Sequence, residues 1–536
     1  MESSEQNYIS VDRLNDIDVA EAGVDQLPRN AFGFLGGFFL CIGAIAPAAS
    51  MLFNVPVASS QAGAAAPLAF MLSAIGMLLL GIPVVFFARR LSSAGGFYTW
   101  VQHGLGAQAA FHVGWLLIGA YAIFEAALQA TVGGSVDINL ATYFGFHMPG
   151  GWVTYALIFI VIVGALGYFN VKASLWVLIP FTIAELVGLV VLDLAISVRG
   201  GASGHDLIHT FTPAGASVKA VAPGGLLGIG IAMVIAILAF VGFETIAAYG
   251  EEARNARRTI PRTVYTVLIF LAFIYTWTAY SATIGVGWQH AGDVLGNVAN
   301  APLQYVGLAN TFVGAWLGVA LVVLVTTSNF ASTIGYHQTM ARYGLNMGRE
   351  GILPHALGRT HPRWQSPFVA SLVQSIYTVV VVLLLSLVIQ HSNLDGSVVY
   401  QLGIADGKVW QQTGGIAAFQ WLASIFSMCL IIVYIITNVA VFFYARKCNE
   451  FRLLPHLVAP AVSSVILLLP LASYILPALP GVGNFFTDLG FAPTPFPANI
   501  LPLFVVLWWA LGYGYFLYGR SRDPEKLKML GRIVSQ

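Results

Sequence analysis

Two long apolar segments, each interrupted near its middle, constrain this chain more than any other feature. The first runs over residues 32–57 and carries Cys41-Ile42-Gly43-Ala44-Ile45-Ala46-Pro47. The second runs over 224–250 and carries Ala239-Phe240-Val241-Gly242-Phe243-Glu244. Each is long enough to cross the hydrocarbon of a bilayer. Gly43 and Gly242 weaken helix, and Pro47 removes a donor and frees the carbonyl four residues back, that of Gly43. Backbone released from helical bonding cannot face lipid, so it must line a cavity enclosed by protein. Breaks at corresponding places in two halves of a membrane protein point to a transporter's substrate site. Taken singly, either break is also compatible with close helix packing through small residues.

The chain is 58% apolar and 9% charged, where a soluble protein carries about 25% charged residues. It therefore reads as an all-α polytopic membrane protein. A net charge of +1 gives no reason to expect a nucleic-acid partner. Cys41, Cys429 and Cys448 do not form a disulfide framework by position. No basic segment followed by a short apolar core opens the chain, so a cleaved signal peptide is not expected.

Apolar runs of about 20 residues predict twelve spans: 32–57, 66–90, 105–133, 152–169, 174–198, 224–250, 260–287, 312–341, 367–389, 416–445, 457–479 and 498–519. With the N-terminus inside, 21 of the 24 Lys and Arg residues fall on cytoplasmic segments, leaving only Arg199, Lys219 and Lys408 outside. The positive-inside rule then holds at every loop, with both termini cytoplasmic. Spans one to five and six to ten each begin with a broken helix. An odd number of spans per half inserts the second half upside down, an inverted repeat. The expected divisions are a tail at 1–31, a first repeat at 32–223, a second at 224–456, two added spans at 457–519 and a tail at 520–536.

Several polar residues inside the spans are candidates for function. Unpaired N–H groups at the breaks suit a carboxylate, and unpaired carbonyls suit an ammonium or a cation. Glu244 is a candidate proton site, or a cap on freed backbone; Phe240, one turn earlier, is a candidate aromatic lid, or core packing. Glu125, with Tyr121 and Gln129 one turn away on the same face, is placed to line the cavity and attract a cation, or to join an interhelical network. Glu185, mid-span among apolar neighbours, is a candidate to bind a cation or carry a proton, or to serve a structural partner; Asp193 reads as interfacial. Thr326, Thr327, Ser328, Asn329, Ser332 and Thr333 offer oxygens suited to Na⁺, although such side chains also bond their own backbone. The loop from Glu251 to Arg262 is dense in charge and suits either a salt-bridged inner gate or a topology signal. The histidines, His337 included, show no metal spacing, and no phosphate-binding loop, nucleophile elbow or ATP-binding segment is present. No cofactor and no enzyme activity are expected.

Gly43-Ala44-Ile45-Ala46, Phe240-Val241-Gly242-Phe243-Glu244, Glu251-Glu252 with Asn255 and Ile260-Pro261-Arg262, Gly95-Gly96-Phe97-Tyr98, and Arg349-Glu350-Gly351-Ile352-Leu353-Pro354 resemble the corresponding stretches of amino acid–polyamine–organocation permeases. The resemblance extends through the twelfth span, and the sixth-span motif with its loop is the specific part. It implies a five-plus-five inverted repeat with two added helices. It implies substrate contacts at Gly43, Ala44, Ile45 and Ala46, and at Ala239, Phe240, Val241, Gly242 and Phe243. An aromatic gate would stand at Phe240 and proton coupling at Glu244. Ile45 stands where the family usually has Gly, Ser92 where a Pro is usual, and Ala256 follows Asn255 where the family has Pro. Glu185 falls near the position of a family Lys whose ammonium stands in for sodium. A carboxylate there reverses the charge and leaves H⁺ and Na⁺ both open.

The expected protein is a symporter or antiporter of the cell membrane, lodged in lipid and moving an amino acid or related amine by alternating access, with Glu125 favouring a cationic or polar substrate. The alternatives are an uncoupled facilitator, a nutrient receptor on the same fold, and a carrier of a nucleobase or inorganic ion.

Overall fold

A computed structural model describes residues 27–91, 95–146, 148–169, 171–217, 225–297, 303–388, 390–394, 397–405, 408–411, 414–476 and 500–522. The acidic stretch up to residue 26, Ser92, Lys219, the segment 477–499 and the basic residues from 523 onward lie outside them.

The long apolar runs are helical because helix is the local structure that satisfies every backbone group without water. In chain order they form α1 (Phe34–Ile45), α2 (Pro47–Ala62), α3 (Ala66–Ala88), α4 (Phe97–Leu105), α5 (Ala107–Phe144), α6 (Trp152–Tyr168) and α7 (Val171–Arg199). There follow α8 (Gly225–Phe240), α9 (Ala256–Val286), α10 (Leu303–Phe312), α11 (Ala315–Arg349), α12 (Phe368–Val388), α13 (Gly414–Lys447), α14 (Ala459–Ile475) and α15 (Leu501–Arg522). Among the described residues, ten helical segments are long and apolar enough to cross a membrane. The first, Phe34–Ala88, holds two of the expected spans, and the expected fourth span is α6, an apolar helix of 17 residues.

Most expected limits agree with the helices within a few residues. The third and eighth spans differ: α5 runs on to Phe144, past the expected end at 133, and the eighth is also longer. Gly314 at φ 139° ends the approach, and α11 then continues to Arg349. It can run past the expected end at 341 because its polar last turns are buried against protein and find partners there, Arg342 first among them. The all-α fold carries one small addition outside the apolar runs. Residues 390–411 hold an antiparallel three-stranded meander, β1 (Gln390–Leu394), β2 (Ser397–Ala405) and β3 (Lys408–Gln411), with Gln390 opposite Gln401 and Ala405 opposite Lys408. That stretch is polar and lacks the helical apolar stripe.

The buried centre of the molecule is α1, α2, α8 and the inner half of α11, with α5 and α13 against them. The outward faces of α7, α12 and α15 carry large exposed apolar side chains, such as Trp176, Leu387 and Leu511, as surfaces in contact with lipid do. The last helix is held to α5 by a reciprocal pair. Trp115 Nε1 donates to the Trp508 carbonyl at 2.9 Å, Trp508 Nε1 donates to the Trp115 carbonyl at 3.0 Å, and the two rings stack at 4.8 Å.

Candidate functional site

The first break falls at Ala46, three residues beyond Gly43. Ala46 is left-handed at φ 54°, ψ 71°, between the end of α1 and Pro47, the first residue of α2. Proline suits that first helical position, where its missing N–H has no helical partner to lose. Gly43 lies inside α1 and serves another purpose. A Cβ there would come within 3.2 Å of both Leu178 and Thr182 on α7, so it permits close approach.

The freed groups around Ala46 are matched by side chains. Ser50 Oγ donates to the Ile45 carbonyl at 2.6 Å, and Ser332 Oγ donates to the Ala44 carbonyl. The first free donors of α2 turn outward: Ala48 N–H donates to Glu185 Oε2 at 3.3 Å and Ala49 N–H to Ser328 Oγ at 3.2 Å. Ser328 Oγ in turn donates to Glu185 Oε2 at 2.5 Å.

The second break falls at Gly242. Helix α8 ends at Phe240, Gly242 takes φ 119°, and a 3-10 turn covers Phe243–Tyr249. Positive φ there favours glycine, and so does the space. An added Cβ would lie 2.7 Å from Ile45 Cγ1 and 2.9 Å from Tyr336 Oη. The two breaks therefore meet where Ile45 rests on Gly242. Tyr336 Oη donates to the Val241 carbonyl at 2.9 Å. Glu244 is a cap: its Oε2 accepts from Gly242 N–H at 2.8 Å and its Oε1 from Tyr121 Oη at 2.8 Å.

A cavity of about 30 Å³ lies at this junction. Its polar wall is Ser50, Asn54, Asn329, Ser332 and Tyr336, with the backbone at Ile45, Ala46 and Val241. Its apolar wall is Phe124, Leu128, Leu238 and Phe419. No ionised side chain lines it among the described residues. Asn329 Nδ2 is buried with no hydrogen-bond partner.

Five of the sequence candidates line this cavity: Ile45, Ala46, Val241, Asn329 and Ser332. Gly43, Ala44, Ala239, Gly242 and Phe243 shape the breaks behind it. Phe240 packs edge-on against Tyr275 at 5.4 Å, and the aromatic rings on the cavity belong to Phe124, Tyr336 and Phe419. The Tyr121–Glu125–Gln129 stripe divides. Tyr121 turns to Glu244, while Glu125 Oε1 meets His337 Nδ1 at 2.8 Å and His337 Nε2 meets Ser371 Oγ at 2.7 Å. Glu125 is thus held behind the cavity wall. Asp193, expected at the interface, is buried and accepts from Thr278, because α9 packs over that face of α7. Thr327 and Thr333 bond carbonyls of their own helix, and Thr326 does so while accepting from Asn139. Among the described residues no group of three or more His, Cys, Asp or Glu is placed to hold a metal.

Tyr336 and Asn54 were missed by sequence reading. Tyr336 was legible, since it follows Asn329 and Ser332 at helical spacing on one face.

Toward one end of the molecule the charged loop is tied to the end of α11 by ion pairs. Arg342 donates to both oxygens of Glu252, with both side chains 1% exposed. The same guanidinium donates to Gln338 O and Oε1 at 2.8 Å and sits 3.9 Å from the Tyr249 ring centre. Arg349 pairs with Glu251 at 3.0 Å. The chain entering α1 is zipped to this loop through Ala31 N–H to Glu252 O at 2.7 Å and Arg254 N–H to Phe32 O at 2.8 Å.

Residues 32–511 match the family model described as amino acid permease. The chain is 26% identical to the branched-chain amino acid permease BcaP of Bacillus subtilis over 380 residues, 67% of this chain and 75% of that protein. It is 23% identical to BcaP of Lactococcus lactis over 512 residues, 91% of this chain and 94% of that protein. It is 25% identical to cationic amino acid transporter 4 of Mus musculus over 380 residues, 68% of this chain and 57% of that protein.

Proposed function

The chain belongs to the amino acid permease family, and from that premise we propose that it is a secondary transporter carrying an amino acid with an uncharged side chain by alternating access. The observation that carries this reading is the cavity where the two breaks touch. It offers backbone and hydroxyl groups for an α-carboxylate and an α-ammonium, an apolar wall for a side chain, and no ionised residue. The resemblance to two branched-chain permeases supports the same choice over a cationic substrate, and Glu125, held by His337, no longer argues for one.

The twelve-span, five-plus-five arrangement with both termini cytoplasmic completes the proposal, and is supported by the distribution of Lys and Arg. The first segment supplies two spans and α6 the fourth. The Glu252–Arg342 end then faces the cytoplasm. The structure is read as a state closed on that side, with α1, α2, α3, α8 and α9 moving against α5, α7 and α11.

Glu185 is the proposed coupling group. Its Oε2 receives Ala48 N–H and Ser328 Oγ, both at the first break, while Oε1 and the neighbouring Thr182 Oγ1 are buried without partners. A proton or a cation exchanged at Glu185 would alter the hydrogen bonds that hold the start of α2.

The test is uptake of labelled amino acids and amines into proteoliposomes, with proton and sodium gradients imposed separately. The expected outcome is accumulation of branched or other neutral amino acids driven by one of the two gradients. Folded protein that moves no amino acid would overturn the reading, and equilibration without accumulation would establish a facilitator.

A further inference from the structure

A second groove, of about 550 Å³, lies where the end of α3 meets α9 and the turn leading into α14. Three arginines line it, Arg89, Arg90 and Arg452, with one acid, Glu450. Arg90 is already committed. It pairs with Glu450, donates to the Phe86 carbonyl at 3.0 Å and lies 3.8 Å over the Phe86 ring. Nearby cations are committed as well: Arg446 stacks on Phe442 and Phe451, and Lys447 donates to the His103 and Gly104 carbonyls. Arg89 and Arg452 are exposed, and neither guanidinium pairs with a carboxylate among the described residues. The turn that carries Arg452 is fixed, because its backbone N–H donates to His456 Nδ1 at 2.9 Å and the His456 ring packs 4.3 Å from Phe86.

Two uncommitted guanidiniums on a rigid rim call for an anion with several acceptor oxygens. The floor of the groove is apolar, formed by Ile82, Val85, Phe86 and Pro455. Beside it Leu453 and Leu454 stand 62% and 70% exposed at the start of an apolar helix. A soluble anion has no use for that floor or those leucines, whereas a phospholipid carries its phosphate and its acyl chains in this order. We infer that the groove is a binding site for one anionic phospholipid, its phosphate between Arg89 and Arg452 and its acyl chains against Leu453 and Leu454. Basic pockets between membrane helices bind such headgroups, each surface arginine adding about 1 kcal/mol, or about fivefold in affinity.

The experiment is titration of delipidated full-length protein in neutral detergent with phosphatidylglycerol, phosphatidylcholine and inorganic phosphate, read by native mass spectrometry. Wild type is expected to retain phosphatidylglycerol over phosphatidylcholine. The double variant Arg89→Gln, Arg452→Gln is expected to lose about 25-fold of that affinity, with its lipid-free melting temperature unchanged because both side chains are exposed. Should the double variant not fold, Arg452→Gln alone, expected to lose about fivefold, decides. Equal retention of the two lipids, or unchanged phosphatidylglycerol binding in the variants, would overturn the inference. Displacement of phosphatidylglycerol by an equal concentration of inorganic phosphate would also overturn it, by assigning the site to a soluble anion.

Discussion

Glu252→Gln is expected to open the proposed cytoplasmic side. Both members of the Glu252–Arg342 pair are 1% exposed, so the variant leaves a buried guanidinium without its counter-charge. Breaking such a pair costs about 3–5 kcal/mol. The lower end applies here, because Gln retains one acceptor oxygen and Arg342 keeps both Gln338 contacts and the Tyr249 ring. If the pair exists only in the closed state, about 3 kcal/mol shifts the equilibrium roughly 150-fold toward the open one. Cys41 provides a native reporter. It lies on α1 between the gate and the break, is 0% exposed, and donates its thiol to the Phe243 carbonyl. With Cys429 and Cys448 replaced by Ala, maleimide labelling of Cys41 follows the open fraction. The expected rate rises about 100-fold, reaching a plateau once the open form dominates. Glu251→Gln is the control. In its pair with Arg349, Glu251 is 26% and Arg349 6% exposed, so the pair is more solvated than Glu252–Arg342 and worth less, and labelling rises by a smaller factor. Raised salt should mimic Glu251→Gln but not Glu252→Gln, since screening reaches exposed pairs first. Equal labelling of the two variants, with unchanged melting temperatures, would refute the reasoning.

Glu185→Gln keeps an oxygen for Ala48 N–H and Ser328 Oγ but cannot carry a charge; exchange of substrate across proteoliposomes should persist while gradient-driven accumulation is lost. Glu125→Gln should leave the ratio of neutral to cationic uptake unchanged and lower stability by about 1–3 kcal/mol through the buried His337 contact, read as a melting shift. Gly242→Ala meets Ile45 at 2.7 Å and a φ of 119°; strain and overpacking of about 1–3 kcal/mol each should abolish uptake, and Ile45→Gly in the same chain should recover part of the lost melting temperature. Tyr336→Phe removes the hydroxyl on the Val241 carbonyl and should change apparent substrate affinity severalfold without loss of the folded protein, measured by uptake kinetics.

The apolar runs were legible because burial in lipid imposes length and composition on each one, and their limits lie close to the helices. The second break was legible at Gly242, where backbone conformation demanded the residue. The first was displaced to Ala46, because proline's effect on its neighbours outweighed glycine's freedom at Gly43. Glu185 and Glu244 stood out in the sequence because a carboxylate in a span must find partners, and both have them. Which partners they found was not legible. Tyr121 is 123 residues from Glu244 and Ser328 is 143 from Glu185, and helical periodicity says nothing about which helices become neighbours. Glu125 shows the same limit. Its own helix face implied a cavity stripe, but His337, on α11, supplied the closer partner. The antiparallel meander after α12 was overlooked although the sequence places Asp395-Gly396 and Asp406-Gly407 between its strands, a hairpin signal in its own right.

The backbone at the two breaks is not bare. Ala44, Ile45 and Val241 carbonyls each already hold a hydroxyl, and the Ala48, Ala49 and Gly242 N–H groups each already hold an oxygen. A substrate that takes over these positions performs a partner swap in which the number of hydrogen bonds hardly changes. Polar recognition then adds little net affinity, about 1 kcal/mol or less per swapped bond, yet an analogue lacking the amine or the carboxylate would leave displaced groups unmatched and be rejected. On the proposed reading, a carrier built this way would hold its cargo loosely while still checking its identity.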